Sequence, residues 1–236
     1  MIHRSISVII PAHNGERYLA AAIRSVLDQT LPPDEIIVID DGSTDDSAAI
    51  ARSFGPPVRV LTQANLGPAP ARNLGVAHAS GGLLAFLDAD DLWTPDKLAR
   101  QAQVLRDDPA CEAVLGGVEN FISPDLGEAQ HRLLAKAAAQ TGDVHVGALL
   151  IRREAFRRIG DFDTRWRQTD FVEWWARAMR LNLCYVAVPE LVLRRRLHAD
   201  NLTRRERAGR LEYLPMLREQ IAQRRALAGP TAEPSR

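Results

Sequence analysis

Cysteine is nearly absent from this chain: Cys111 and Cys184 are the only two in 236 residues. They lie far apart, each in an apolar neighbourhood, and no Cys/His spacing suits a zinc site. A disulfide framework and a structural zinc drop out, and two buried thiols in a reducing compartment are expected. Lysine is equally scarce. Only Lys97 and Lys136 interrupt a basic complement that is otherwise arginine, the better two-pronged phosphate partner. No apolar run approaches the roughly 18–20 residues of a membrane span. Met1-Ile2-His3-Arg4 leads directly into Ile6-Ser7-Val8-Ile9-Ile10 and Pro11. That is not the long apolar core of a secretory leader, so a cytoplasmic location is expected. No G-x-G-x-x-G follows this first run and no G-x-x-x-x-G-K-[ST] occurs, which argues against a dinucleotide oxidoreductase and a P-loop NTPase. There is no internal repeat, and no motif supports nucleic-acid binding.

What the chain does contain is an ordinary globular mixture, 46% hydrophobic and 25% charged. At this length folding buries roughly 70% or more of the unfolded surface. The pattern reads as one large domain over residues 1–205 and an extension over 206–236. Formal charge is zero, yet residues 1–119 carry 9 basic and 16 acidic side chains, and residues 120–236 carry 21 and 14. An acidic half against a basic half suits a site where a cation meets a polyphosphate.

The first 120 residues alternate strand and helix patterns. Strand-like runs occur at Val8–Ile10, Ile36–Ile39, Val58–Leu61, Leu83–Leu87 and Ala113–Leu115. Helical spacing occupies 16–29, a segment after Ser43 and Thr44 (which can cap it), 68–79, and 95–107 with Pro95 in its first turn. Later come a loop and helix over 121–142, a strand at 146–151, helices at 153–159 and 170–181, and two strands at Tyr185–Val188 and Leu191–Leu193. Residues 205–227 read as an Arg-rich amphipathic helix, and 229–234 as a disordered tail. Alternation of this kind predicts an α/β fold, a Rossmann-like, mostly parallel sheet with helices on both faces. Ligands then sit beyond the carboxyl ends of the strands. Three polar clusters stand there: Pro11-Ala12-His13-Asn14, Asp40-Asp41-Gly42-Ser43 and Asp88-Ala89-Asp90-Asp91.

Asp88, Asp90 and Asp91 crowd three carboxylates into four residues. Hard divalent cations prefer such oxygens, commonly one or two carboxylates plus substrate phosphate. Asp40 or Asp41 suits a pyrimidine N–H or a ribose hydroxyl, or else supplies acidic charge to a helix start. Gly67 to Asn73 opens a helix with Arg72 in its early turns, within reach of a phosphate.

Together these stretches resemble the family 2 glycosyltransferases of GT-A fold. Val8 to Glu16 resembles the opening strand and loop, and Ile37 to Asp45 the second motif. Asn65-Leu66-Gly67 through Arg72-Asn73 resembles the third. Phe86 to Asp91, followed by Pro95-Asp96-Lys97-Leu98, resembles the D-x-D motif and its helix. Leu149 to Asp163 and Arg196 to Thr203 carry the likeness to about residue 205. The resemblance implies a nucleotide-sugar-binding half over 1–110 and an acceptor-binding half over 111–205. It implies sugar transfer from a nucleotide-sugar, a UDP-sugar being favoured, with Mn²⁺ or Mg²⁺ on the diphosphate. Pro11, Ala12, His13, Asn14, Glu16, Asp40, Asp41, Arg72, Asp88 and Ala89 would bind the donor. Asp90, Asp91 and His198 would hold the metal. His13 stands where the family often has a stacking Tyr.

An inverting transfer also needs a base for the acceptor hydroxyl's proton. The family usually supplies it from a Glu-Asp pair before a helix carrying Trp and Arg. Aligned on Arg177, this chain has Asp170 in the Glu position and Phe171 in the Asp position. Asp170 and Glu173 are the candidates, Asp170 being favoured. A catalytically degenerate protein that binds a nucleotide-sugar, a partner or a membrane surface is the alternative. His145 reads as structural or acceptor-facing, and Trp166, Trp174 and Trp175 as core or a sugar platform. The Gln-x-x-Arg-Trp pattern of processive synthases is absent, so single-sugar transfer is expected, to a sugar, lipid-linked or peptide acceptor. The net +6 over residues 194–236 leaves open a peripheral contact with the inner membrane face and a homodimer.

Overall fold

The structure, a computed structural model, describes residues 5–139 and 144–198, together with Glu212, Pro215, Met216, Arg218 and Glu219. Four parallel strands come first: β1 (Ile6–Ala12), β2 (Glu35–Asp41), β3 (Val58–Gln63) and β4 (Leu83–Phe86), joined by helices α1 (Leu19–Leu27), α2 (Ser47–Ser53) and α3 (Pro68–His78). Their β-branched runs are buried on both faces, as parallel strands under helices must be; Val8, Ile9, Ile10, Ile36, Ile37 and Ile39 have no exposed surface. The two-residue β5 (Leu92–Trp93) and α4 (Lys97–Asp107) follow. The rest comprises β6 (Ala113–Ile122), α5 (Glu128–Ala138), a 3-10 turn at Val146–Ala148, β7 (Leu149–Arg152), α6 (Arg153–Ile159), α7 (Asp170–Arg180) and β8 (Tyr185–Leu197).

The eight strands form one sheet in the order β3-β2-β1-β4-β7-β6-β8-β5. β7 runs antiparallel to β4 and β6, and β5 antiparallel to β8. β2 and β3 lie on one side of β1, and β4 on the other. Right-handed crossovers therefore place α3 on the opposite face from α1 and α2. The gap between the carboxyl ends of β1 and β4 is the switch point of the sheet, where open α/β folds take their ligands. Gly75 lets α3 close on β1: a Cβ there would stand 2.5 Å from Ile9 Cγ2.

Several expectations need correction. The helix after Ser43 and Thr44 begins at Ser47 with Asp46 ahead of it, and neither hydroxyl caps it. Pro95 precedes α4, which starts at Lys97. Residues 146–148 form a 3-10 turn and only 149–152 a strand. The two late strands are one, with a β-bulge irregularity where it pairs β6. Cys111 is buried, but Cys184 is exposed. Most of the helix expected at 205–227, the tail and Ala199–Thr203 lie outside the described residues. Among the described residues, no helix is long and apolar enough to cross a membrane.

Candidate active site

A cleft of about 840 Å³ opens over the ends of β1 and β4. Its β2 side is built around Asp41. One carboxylate oxygen accepts from Gln63 Nε2 and Leu66 N, the other from Gly67 N, all at 2.8 Å. Those bonds bend the chain through Asn65–Gly67, and Gly67 takes φ +100 before α3, a conformation open to glycine. His13 faces this turn. Its Nδ1 lies 2.8 Å from the Asp41 carbonyl, so it carries the proton, and Nε2 lies 3.1 Å from Asn65 Nδ2. Asn14 Oδ1 accepts from Thr44 N at 2.8 Å, tying the β1 and β2 loops together. Pro11, Ala12, His13, Asn14 and Asp41 all line the cleft.

The acidic loop after β4 is clasped by β8. Arg196 donates its backbone N–H to Asp91 Oδ1 at 2.8 Å, its Nε to the Asp90 carbonyl at 2.9 Å, and an Nη to Ser123 Oγ. His198 Nε2 lies 2.9 Å from Asp90 Oδ2, its ring 4.7 Å from that of Tyr18. Burial, with Asp90 and Asp88 adding repulsion, pushes the Asp91 carboxyl well above the usual carboxylate range. A divalent cation would relieve that repulsion, so the donor set fits one. Among the described residues, Asp88, Asp91 and His145 have ligating atoms within 4.8 Å of one another. Burial, outweighing the pull of Asp88, lowers the His145 imidazole to about 4, so it is neutral near pH 7.

Arg72 is buried and held between two acids. Its Nη1 donates to Asp170 Oδ2 at 2.5 Å and its Nη2 to Asp88 Oδ1 at 2.7 Å. Arg72 and His145 pull Asp88 below its ordinary value despite its burial. Burial raises Asp170, although Arg72 opposes the shift. Both Arg72 amino groups thus face carboxylates, not an open phosphate position.

The structure brings Arg72, Asp88, Ala89, Asp90, Asp91, Asp170 and His198 to the same cleft as the His13 loop. It does not bring Glu16, Asp40 or Glu173 there. Glu16 accepts from Asp46 N, and Asp40 accepts from Ser43 N within its own turn. Glu173 turns to Arg177, 3.2 Å away. The platform of three tryptophans reduces to Trp175: Trp174 is fully buried, stacked on Phe156 at 5.3 Å, and Trp166 is outside the cleft lining. Arg195, Arg167 and Tyr18 line the cleft as well and were not singled out from sequence. The expected strand stops at Leu193; only its extension to Leu197 shows that Arg194 and Arg196 stack on Phe121 while Arg195, between them, takes the other face.

The comparisons agree with this geometry. The model of "Glycosyl transferase family 2" matches residues 7–160. An uncharacterized glycosyltransferase of Rickettsia prowazekii is 31% identical over 84% of this chain and 65% of its own length. One from Nostoc is 36% identical over 69% of this chain and 55% of the relative. The chain thus spans less than two-thirds of these relatives. The complex of S. aureus TarS with UDP-GlcNAc superposes with TM-score 0.71 at 18% identity, over 92% of this chain and 65% of that one. Sheet order, strand-end cleft and this superposition define an α/β fold of GT-A type. The chain belongs to glycosyl transferase family 2.

Proposed function

We propose that the protein moves one sugar from a UDP-sugar to an acceptor hydroxyl, with inversion, using Mn²⁺ or Mg²⁺. The observation that carries this reading is the chain Asp88–Arg72–Asp170, which links the acidic loop to a buried carboxylate at 2.7 and 2.5 Å. Residues 1–110 supply the donor half and 111–205 most of the acceptor half. His13, Asn65 and Asp41 hold the nucleoside, in a fold shared with a protein solved with UDP-GlcNAc. Asp90 and Asp91 hold the cation, with Asp88 beside them and His198 fixing Asp90. When bound, the cation offsets the charge that develops on the leaving diphosphate. Arg195, which faces the same acids, adds positive charge there, a role the sequence assigned to Arg72. Arg72 instead positions Asp88 and Asp170. Asp170 takes the acceptor proton; its raised pKa makes it a stronger base than an exposed aspartate. The acceptor is a sugar, lipid-linked or peptide hydroxyl.

Calorimetric titration with UDP, GDP, dTDP and CDP, each with Mn²⁺ and with EDTA, tests the reading. Binding of UDP that requires Mn²⁺ is expected. Folded protein that binds none of the four would overturn it. One observation favours a binding-only role: Phe171, in the family's usual acid position, is buried against Trp174 at 6.1 Å. That role predicts donor binding with no transfer or donor hydrolysis.

A further inference from the structure

We propose that His145 and Asp88 together read one hydroxyl of the sugar being transferred, His145 as hydrogen-bond donor and Asp88 as acceptor. The inference rests on the nucleotide-sugar reading above and assigns a specificity residue within that site.

His145 heads the 3-10 turn, and its Nδ1 lies 3.1 Å from Gly147 N. A backbone N–H only donates, so Nδ1 holds a lone pair and the ring proton sits on Nε2. A doubly protonated ring would set two N–H groups against each other. Nε2–H thus faces Asp88 Oδ2 across 3.8 Å, too far for a direct hydrogen bond. Asp88 Oδ1 is already engaged by Arg72. What remains is one donor and one acceptor, spaced to share a bridging oxygen. A hydroxyl both accepts and donates and completes the pair; a methyl completes neither half, and an ether or keto oxygen only one.

The backbone beneath His145 is held firmly. Three successive carbonyls, of Gly147, Ala148 and Leu149, accept from Trp93 Nε1 at 2.8 Å, Gln101 Nε2 at 2.8 Å and Lys97 Nζ at 3.2 Å. A Cβ on Gly147 would come within 3.0 Å of Leu193 and 3.2 Å of His145 Nδ1, so glycine at 147 lets the ring sit this close. The pair lines the same cleft as His13, Asn65 and Asp170, and Asp88 is joined to Asp170 through Arg72. A donor whose reacting carbon is set near Asp170 brings its sugar toward Asp88, which Arg72 ties to that carboxylate. Coordination of a cation through Nε2 would demand a proton on Nδ1, facing Gly147 N–H. His145 is therefore a donor to the sugar, not a ligand of the cation.

The test is calorimetry on the full chain in Mn²⁺, with UDP, UDP-glucose, UDP-galactose and UDP-GlcNAc, for wild type, His145→Asn and His145→Phe. Asparagine is a good N-cap, so it keeps the bond to Gly147, but it is too short to reach the sugar. Phenylalanine keeps the ring without either nitrogen. Both variants are expected to bind UDP as wild type does. Each should bind the preferred UDP-sugar about 3–10-fold more weakly, the loss of one hydrogen bond. Unchanged UDP-sugar affinity in the asparagine variant overturns the inference. An equal loss for UDP itself also overturns it, by moving His145 to the cation or diphosphate. A wild-type protein that binds neither UDP nor any UDP-sugar refutes the UDP-sugar reading on which the inference rests.

Discussion

Asp91 sits where folding and the proposed chemistry conflict. Its carboxyl is buried beside Asp90 and Asp88, and its pKa is raised well above the ordinary value. A carboxyl with a raised folded pKa favours folding only while protonated, so that contribution is lost as pH rises from about 4 through the folded value. Asp91→Asn keeps an oxygen for the Arg196 N–H and removes the charge. In metal-free buffer at pH 8 it should raise Tm by about 2–4 °C, roughly 1 kcal/mol, while abolishing Mn²⁺-dependent UDP binding; scanning calorimetry and titration read the two effects. Asp170→Asn should lower kcat by about 100-fold or more and leave UDP-sugar affinity nearly unchanged. In wild type the rate should fall toward acid with a midpoint above the usual aspartate range, because only ionised Asp170 accepts a proton. Full turnover in the variant would remove Asp170 from the proton's path. The acids of both predictions were legible in sequence, from D-x-D spacing and from alignment on Arg177. The partner of Asp170 was not. Arg72 stands 98 positions earlier, and no local pattern relates a helix-start arginine to an aspartate in the other half.

At the scale of elements, α4 acts as a bracket under the cleft. Lys97 is fully buried; burial holds its amine well below the ordinary value. It donates to Gln101 Oε1 at 2.7 Å and lies 4.3 Å from the Trp93 ring centre. Gln101→Leu leaves the Ala148 carbonyl and the Lys97 amine short of partners. A loss of about 2 kcal/mol, or roughly 4–8 °C in Tm, is expected; a thermal melt within 1 °C of wild type (about 0.3 kcal/mol) would refute the bracket. Helices and parallel strands here were legible because apolar spacing repeats within each element. The 3-10 turn was not, since Val146-Gly147-Ala148 is as apolar as the strand it leads into. Only the side chains of Trp93, Gln101 and Lys97, catching successive carbonyls, distinguish it. β8 looked like two strands because Pro189-Glu190 interrupts its pattern. Pairing with β6 carries it through with shifts in register.

Across the whole molecule, the C-terminal segment reaches the loop that leads into Asp170. Glu212 accepts from Gln168 N at 3.0 Å, Glu219 pairs with Arg165 at 3.0 Å, and Met216 is buried. Deleting residues 206–236 should therefore lower Tm by several degrees, at roughly 2–4 °C per kcal/mol. An unshifted melt would show that these contacts contribute nothing. The amino-acid sequence by itself determined the alternating architecture, the strand-end placement of the acids and the family resemblance, because each is written in short-range periodicity and spacing. Only the tertiary structure decided which of those residues share a cleft. Asp40 and Glu173 are turned into bonds within their own turn and helix and Glu16 into a bond to the loop after β2, whereas Arg195 and His145 are carried in from strand alternation and a 3-10 turn. Burial did the rest: it keeps the His145 ring neutral and raises the carboxyls of Asp91 and Asp170, and burial exists only once distant segments pack.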